Sequence, residues 1–425
     1  MSTLLSTRRG WIILLPVLPL CAAGLVTIQA ASSPDDLTTL ADETVKQLAF
    51  AAAGLGCMFI ISAVGYQRIG RLSYLGFAIC ILLLACLVVD RWFDLPFVPM
   101  RRNTRRWIQF GSNQVQPSEL MKVAYVLALA WYLRYRSNYR NFLGLIPPFV
   151  LTLIPMALIK LQPDLGTLLL FLPVLFVVLY AAGAKGKHLV AIITMGVLSS
   201  PLFWTKIEPY QQLRITSVLL QNKAIRDYLS EPMPSQPDLP TRWAYFRPKE
   251  FSEGRWMLEL ANWENVTGYQ LTRSKIAIGS GGPFGQGSGR GVFVEYDFLP
   301  EKHNDFIFAM VGHQWGIIGG IVTLVCYGLI ALLGYEIATL TREPFGRLVA
   351  VGLTTMLAFQ AMTNVCMAVG LGPVTGVTLP FVSAGGSSLV INFISLGLII
   401  SVARDRPMMF TNRPFEFAEE EEEEG

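Results

Sequence analysis

The sequence predicts an all-α integral membrane protein of about ten transmembrane helices, with one long outer loop and a re-entrant, Gly/Pro-rich outer loop. Three observations carry this expectation. Hydrophobic residues make up 52% of the 425 residues and charged residues only 15%, whereas soluble domains average roughly a quarter charged. The apolar residues fall into ten runs, each near the ~20 residues that a bilayer core requires. Lys and Arg gather in short clusters between those runs, unlike the continuous basic stripe of a nucleic-acid binder. With a net charge of only +4, nucleic acid is not expected as a partner.

The runs centre on 11–30, 47–65, 72–90, 119–135, 142–160, 166–183, 188–206, 305–335, 347–370 and 388–404. Arg8 and Arg9 precede the first, which ends near "IQAASS", so a cleaved signal peptide is the alternative to a retained helix. The length of the run and the many spans after it favour retention. With the N-terminus in the cytoplasm, every inner segment is basic: Arg8 and Arg9, Arg68 and Arg71, Arg134, Arg136 and Arg140, Lys185 and Lys187, Arg342 and Arg347, and finally Arg404, Arg406 and Arg413. That is the bias expected of cytoplasmic loops, and it puts both termini in the cytoplasm. The first outer loop is acidic, with Asp35, Asp36, Asp42 and Glu43.

The long outer segment, about 208–304, includes the Pro-rich "SEPMPSQPDLPTRW", read as an irregular excursion. The last outer connection, "GLGPVTGVTLPFVSAGGSS", places Gly and Pro at membrane depth. Irregular backbone survives there only when buried in protein or lining a cavity, which predicts the re-entrant loop. Residues 1–415 form one polytopic domain on this reading, and 416–425, "EFAEEEEEEG", a disordered acidic tail. The six cysteines all fall in apolar runs without metal-ligand spacing, as small buried hydrophobes.

One outer loop breaks the charge rule. "MRRNTRRWIQF" carries Arg101, Arg102, Arg105 and Arg106 on the side that normally lacks cations. A phosphate-bearing ligand would explain the guanidinium forks; lipid head-group anchoring, with Trp107 as an interfacial belt residue, is the other reading. In the adjacent "QPSELMK", Pro117 suits a first helical turn, and Glu119 and Lys122 share one face just inside the fourth span. Ionisable groups there point to function, or to a structural ion pair.

"KLQPDLGT" sets Gln162, Asp164 and Thr167 at the mouth of the sixth span, where Asp164 either caps the helix or faces a site. "LPEKHNDFIFAMVGHQWG" places Asp305 where the long loop meets the eighth span. Flanked by His303, Phe306 and Phe308, it is a candidate base in a partly dry cleft, with helix capping as the alternative. "GSGGPFGQGSGRG" lacks P-loop spacing and reads as a flexible or tightly turned loop. "SAGGSS" opens the tenth span, so its backbone N–H groups and Ser387 or Ser388 either hold an anion or simply cap the helix.

In this order, "RRWIQFGSNQVQPSELMK", "QPDLGT", "GYQLTRSKIAIGSGGPFGQG", "FLPEKHNDFIFA" and "GPVTGVTLPFVSAGGSS" resemble the SEDS family of shape, elongation, division and sporulation proteins. The resemblance covers nearly the whole membrane portion. It implies a ten-span glycosyltransferase of the bacterial cytoplasmic (inner) membrane that polymerises lipid II, a disaccharide-pentapeptide on a polyprenyl diphosphate. It also implies a class B penicillin-binding transpeptidase as partner, besides membrane lipids. "QPSELMKVAYVLALAWYL" and "GPVTGVTLPFVS" look more like the elongation branch than the division branch. By position in the motifs, the catalytic aspartate falls on Asp305, the Arg-Trp pair on Arg106 and Trp107, and further conserved positions on Glu119, Lys122 and Lys275. Where the family commonly has a Glu-Glu pair after the aspartate, this chain has His313 and Gln314.

The chemistry fits these residue types. A sugar hydroxyl attacks an anomeric carbon whose leaving group is already a diphosphate, so one carboxylate base suffices where a glycosidase needs two. Charge on the departing diphosphate calls for Arg106, Lys122, helix N-termini or a divalent cation. No cofactor is fixed by the motifs; Mg or Mn is the candidate. Three alternatives to an elongation polymerase are a division-type polymerase, a lipid II flippase or transporter, and a non-catalytic scaffold. A flippase should spread ionisable groups through the bilayer depth, whereas here they crowd one side.

Overall fold

The structure, a computed structural model, describes residues 10–32, 39–93, 98–99, 105–111, 113–204, 209–225, 268–296 and 298–404. Arg101, Arg102, most of the 221–265 excursion and the 416–425 tail lie outside the described residues.

A helix occupies each of the ten expected positions: α1 (Leu14–Ser32), α2 (Asp42–Val64), α4 (Ser73–Phe93), α5 (Pro117–Leu133), α6 (Ile146–Leu161), α7 (Leu165–Ala182), α8 (Gly186–Trp204), α12 (Ile307–Leu340), α13 (Pro344–Val369) and α14 (Gly386–Arg404). Short helices α3 (Tyr66–Arg71), α9 (Pro209–Leu219), α10 (Tyr269–Ser280) and α11 (Val292–Glu295) lie between them. Eight of the ten are long and apolar enough to cross a membrane by themselves. The other two are α5, only 17 residues long with Glu119 and Lys122 in its first turns, and α8, whose apolar stretch is Gly186–Ser200. The chain is a multi-pass membrane protein.

The layering follows burial. Buried residues make up 72% and 78% of the apolar stretches of α13 and α14, but only 22% of that of α2. A helix covered all round is a core element, and one with a bare apolar face meets lipid. α13 accordingly packs on α5, α7, α10, α12 and α14.

The connection 370–385 is the re-entrant loop expected from its Gly and Pro. Its backbone is non-helical, yet Val377, Leu379, Phe381 and Val382 are buried. Three helices supply donors to its carbonyls. Gln47 of α2 donates to Ser383 O (3.0 Å), Tyr327 of α12 to Pro380 O, Gln360 of α13 to Thr378 O (3.1 Å), and Asn364 of α13 to Val377 O (2.6 Å). A further helix, α1, meets the loop by close approach: a Cβ on Gly24 would stand 2.5 Å from Val382 O. Small residues let backbones meet in this way.

The Gly-rich run 279–291 is a tightly turned loop with a defined task. α12 breaks at Gly316, where φ is +67° and ψ −161°. Such a break leaves backbone groups unpaired, and the glycine loop takes them up. Gln286 N and Gly287 N donate to the carbonyls of His313 and Gln314 (2.9 and 3.0 Å), and Ile317 N donates to Gly282 O (2.9 Å). A Cβ at Gly316 would stand 2.4 Å from Gly285 N, so both the φ and the contact require glycine.

Candidate active site

Five segments converge on one end of the bundle around a cavity of about 960 Å³, within the range of small-molecule sites. They are the approach to α5 through the hairpin β1 (Ile108–Phe110) and β2 (Asn113–Val115), the N-terminus of α7, the turn before α12, the re-entrant loop, and α9. Of the residues singled out in the sequence, Arg106, Trp107, Glu119, Lys122, Asp164, Thr167, Asp305, Ser387 and Ser388 line it.

The anomalous arginines divide into two tasks. Arg105 Nη1 donates to both Asp90 O and Asp90 Oδ2 at 2.7 Å, neutralising a carboxylate that is fully buried in α4. Arg106 turns the other way. Its Nε donates to Gln162 O (2.8 Å) and its Nη2 to Pro163 O, which fixes the guanidinium plane at the cavity wall. Backbone carbonyls hold the fork without cancelling its charge.

Glu119 and Lys122 form a buried ion pair at 2.8 Å. Lys122 Nζ also donates to Gln360 Oε1 (2.8 Å), Gln360 Nε2 donates to Thr378 Oγ1 (3.2 Å), and the Thr378 and Ser388 hydroxyls share a bond of 2.8 Å. This chain of bonds links α5, α13, the re-entrant loop and the start of α14. The Lys122 charge is thus already met by Glu119, so it is less available to a ligand than the sequence suggested.

Asp164 is the N-cap of α7 and accepts from Thr167 N (3.3 Å). The same carboxylate accepts from Gln116 Nε2 (2.9 Å), Ser118 Oγ (3.0 Å) and Thr167 Oγ1 (2.9 Å). With four donors on it, the capping reading accounts for Asp164. Ser387 Oγ donates to Gln114 O (3.0 Å), joining α14 to the hairpin.

Asp305 is not the N-cap of α12: that position is Phe306, whose side chain makes no capping bond. It is half-buried between Asn304 and the buried Phe306, and its carbonyl accepts from Asn364 Nδ2 (2.8 Å). Gly376, at φ +76°, brings the re-entrant loop against it: a Cβ there would lie 3.4 Å from Asp305 Oδ2.

Three expected site residues do not line the cavity. Gln162 is 3% exposed and donates from Nε2 to Leu84 O (3.1 Å), so it shapes the wall behind Arg106. His303 Nε2 lies 3.6 Å from Glu43 Oε2, and its carbonyl accepts from Ala384 N (2.9 Å). Lys275 Nζ donates to Gln221 Oε1 (3.1 Å) at the end of α13. Each braces a neighbour of the cavity, a role that motif position alone does not distinguish from contact.

The structure also brings in residues that the sequence reading missed: Gln116, Arg214, Glu301, Thr375 and Thr378. Glu301, at φ +57°, accepts from Asn304 Nδ2 at 3.0 Å. The unusual backbone at Glu301 has no local sequence signal, and Arg214 stood inside the long segment with only a helical period to mark it. Among the described residues no group of three or more His, Cys, Asp or Glu side chains is arranged for a metal, and all six cysteines are free.

A family model described as "Cell cycle protein", covering FtsW, RodA and SpoVE, matches residues 11–227 and 244–407. The chain belongs to this family, the SEDS proteins. Among SEDS relatives it is 32% identical to stage V sporulation protein E of Bacillus subtilis, with 94% of this chain and 98% of that one aligned. It is 30% identical to the peptidoglycan glycosyltransferase RodA of Treponema pallidum, over 92% of this chain and 96% of that one. Two solved SEDS structures share its fold. The crystal structure of Thermus thermophilus RodA has a TM-score of 0.60 at 26% identity, covering 93% of this chain and 97% of that one. A chain in a peptidoglycan synthase complex that coordinates polymerisation and crosslinking has a TM-score of 0.70 at 27% identity, covering 94% and 98%.

Proposed function

We propose that this SEDS protein is a peptidoglycan glycosyltransferase that polymerises lipid II, with Asp305 as the base. The observation that carries the reading is the cavity that the half-buried Asp305 and the fixed guanidinium of Arg106 both line. In the reaction, a hydroxyl oxygen of one lipid II bonds to the anomeric carbon of another. The bond from that carbon to the diphosphate breaks, its electron pair leaves with the diphosphate, and the proton of the hydroxyl passes to Asp305. Arg106, already oriented, meets the charge building on the leaving group.

A transporter reading fares worse. Beyond the cavity, Tyr125, Phe171, Val174 and Leu353 are fully buried, and the Tyr125 and Phe171 rings meet at a tilt, 4.8 Å between centroids. The hollow at the opposite end, lined by Ser62, Gln67, Arg68 and Arg404, shares no lining residue with the cavity. Basic segments at that end support a cytoplasmic assignment for it and for both termini, with the cavity opening at the outer face of the inner membrane.

A divalent cation fits this donor set only in company. Mg²⁺ is usually held by one or two carboxylates plus substrate phosphates, and Asp305 and Glu301 supply two carboxylates on one cavity. Bound there, a cation would neutralise the diphosphate. We further propose a class B penicillin-binding transpeptidase as partner, in line with the crosslinking complex that contains a relative.

One assay tests these readings. Purified protein in detergent, given lipid II and Mg²⁺, should form glycan strands, lose activity with chelator, and gain activity with the transpeptidase. Lipid II left unpolymerised under all of these conditions would rule the enzyme reading out. The elongation motifs point to a role in cell length: depletion should give rounded cells, and filaments would assign the protein to division instead.

A further inference from the structure

The turn that presents Asp305 has its backbone groups sorted by direction. Two of its N–H groups bond within the turn: Asn304 N and Phe306 N both donate to Glu301 O (3.0 and 3.3 Å). Its carbonyls bond outward, and three in succession meet donors from later in the chain. His303 O accepts from Ala384 N (2.9 Å), Asn304 O from Ser383 Oγ (2.7 Å), and Asp305 O from Asn364 Nδ2 (2.8 Å). Ala384 and Ser383 belong to the re-entrant loop and Asn364 to α13, so the turn is laid along the loop carbonyl by carbonyl. The side chain of Asp305 is carried with it, up against Gly376.

The Ser383 hydroxyl has its direction forced. Leu379 N can only donate and Asn304 O can only accept, so the hydroxyl takes the first bond (2.7 Å) and gives the second. The backbone that aims it is strained. Phe381, two residues earlier, sits at φ +68°, a conformation that a bulky residue keeps only where its surroundings impose it. Here they do. The Phe381 ring is buried and meets Phe393 edge-on at 5.4 Å, Val382 N and Ser383 N both donate to Leu379 O (3.2 and 3.0 Å), and Gln47 Nε2 donates to Ser383 O (3.0 Å). Strain of this kind collects where a group has to be held in place for function. Ser383 itself is buried and is not among the residues that line the cavity. What it holds is the residue before Asp305.

We propose that Ser383 is a positioning residue for Asp305: its hydroxyl, aimed by the strained turn at Phe381 and seconded by Asn364, fixes the segment that carries the base. A base must stand within hydrogen-bond reach of the proton it takes, and a misplacement of about 1 Å can cost about a hundredfold in rate. The proposal rests on the lipid II polymerase reading with Asp305 as base, and it makes the rate depend on a residue outside the cavity.

Polymerisation by the purified full chain, with lipid II varied, is the test. Ser383→Ala should lower kcat about tenfold to a hundredfold and leave the half-saturating lipid II concentration within about threefold, because the groups that bind substrate stay in place. Ser383→Thr keeps a hydroxyl and should hold kcat within about threefold of wild type. Combination with Asp305→Asn gives a readout that a merely structural role would not move. Once the base is gone there is nothing left to position, so adding Ser383→Ala to Asp305→Asn should change the residual rate less than about threefold. An unchanged kcat in Ser383→Ala overturns the proposal, as does a loss confined to half-saturation, a Thr variant as slow as the Ala variant, or a loss repeated in full on Asp305→Asn. Should Ser383→Ala fail to purify folded, Ser383→Cys, whose thiol is a weak donor, takes its place, and a kcat equal to wild type overturns the proposal. An inactive wild type fails the polymerase reading as well, whereas an active wild type with unaffected Ser383 variants fails only the assignment of Ser383.

Discussion

Replacing Asp305 with Asn is expected to reduce lipid II polymerisation at least a hundredfold while leaving the thermal midpoint within a few degrees of wild type. The size follows from general-base catalysis, which contributes about 10²–10⁴-fold. The exchange leaves in place both Phe306 at the N-cap of α12 and the bond from Asn364 to the Asp305 backbone carbonyl. The amide keeps the shape of the carboxylate and removes its capacity to take a proton. A time course of lipid II consumption with matched protein concentrations decides it. Activity within tenfold of wild type would show that another group takes the proton.

The second large effect concerns stability and activity together. Removing Lys122 as Ala leaves Glu119 buried beside nothing that neutralises it, a loss of about 3–5 kcal/mol for a broken buried pair. Replacing both residues, as Glu119→Leu with Lys122→Met, should restore most of the thermal midpoint, since apolar side chains often substitute for buried pairs without net cost. Polymerisation should stay at least tenfold down in the double variant. Lys122 also holds Gln360, which holds Thr378, which bonds Ser388, and the re-entrant loop reaches the cavity along that path. Thermal unfolding in detergent beside the polymerisation assay separates the outcomes. A double variant that is both stable and fully active would reduce the pair to a packing element.

The spans were legible because a bilayer imposes length and apolarity on each helix separately, so α1 or α7 can be read without its neighbours. The re-entrant loop was legible for a related reason: Gly and Pro at membrane depth have few permitted structures. The site was legible where a residue had a local task, as with the cap at the head of α7, one of the two readings open for Asp164. It was opaque where the partner lay far along the chain. Arg105 and Arg106 are adjacent and alike, but one answers Asp90 and the other Gln162 and Pro163. "GSGGPFGQGSGRG" acquires meaning only beside Gly316, some thirty residues on, because the bonds between them run through backbone. Lys275 and His303 sit in family motifs yet brace rather than line the cavity, since a motif records co-occurrence and not direction.

The re-entrant loop has a consequence for how loss of function should be distributed along the gene. Its carbonyls hang on Gln47, Tyr327, Gln360 and Asn364, which come from three different spans, with Gln47 near one end of the chain and the others near the opposite end. Inactivating alleles are therefore expected to scatter through apolar helices with no obvious tie to the reacting atoms, and to share one phenotype. A screen would return these scattered amides and the tyrosine as a single complementation-like class, defined by the loop they suspend.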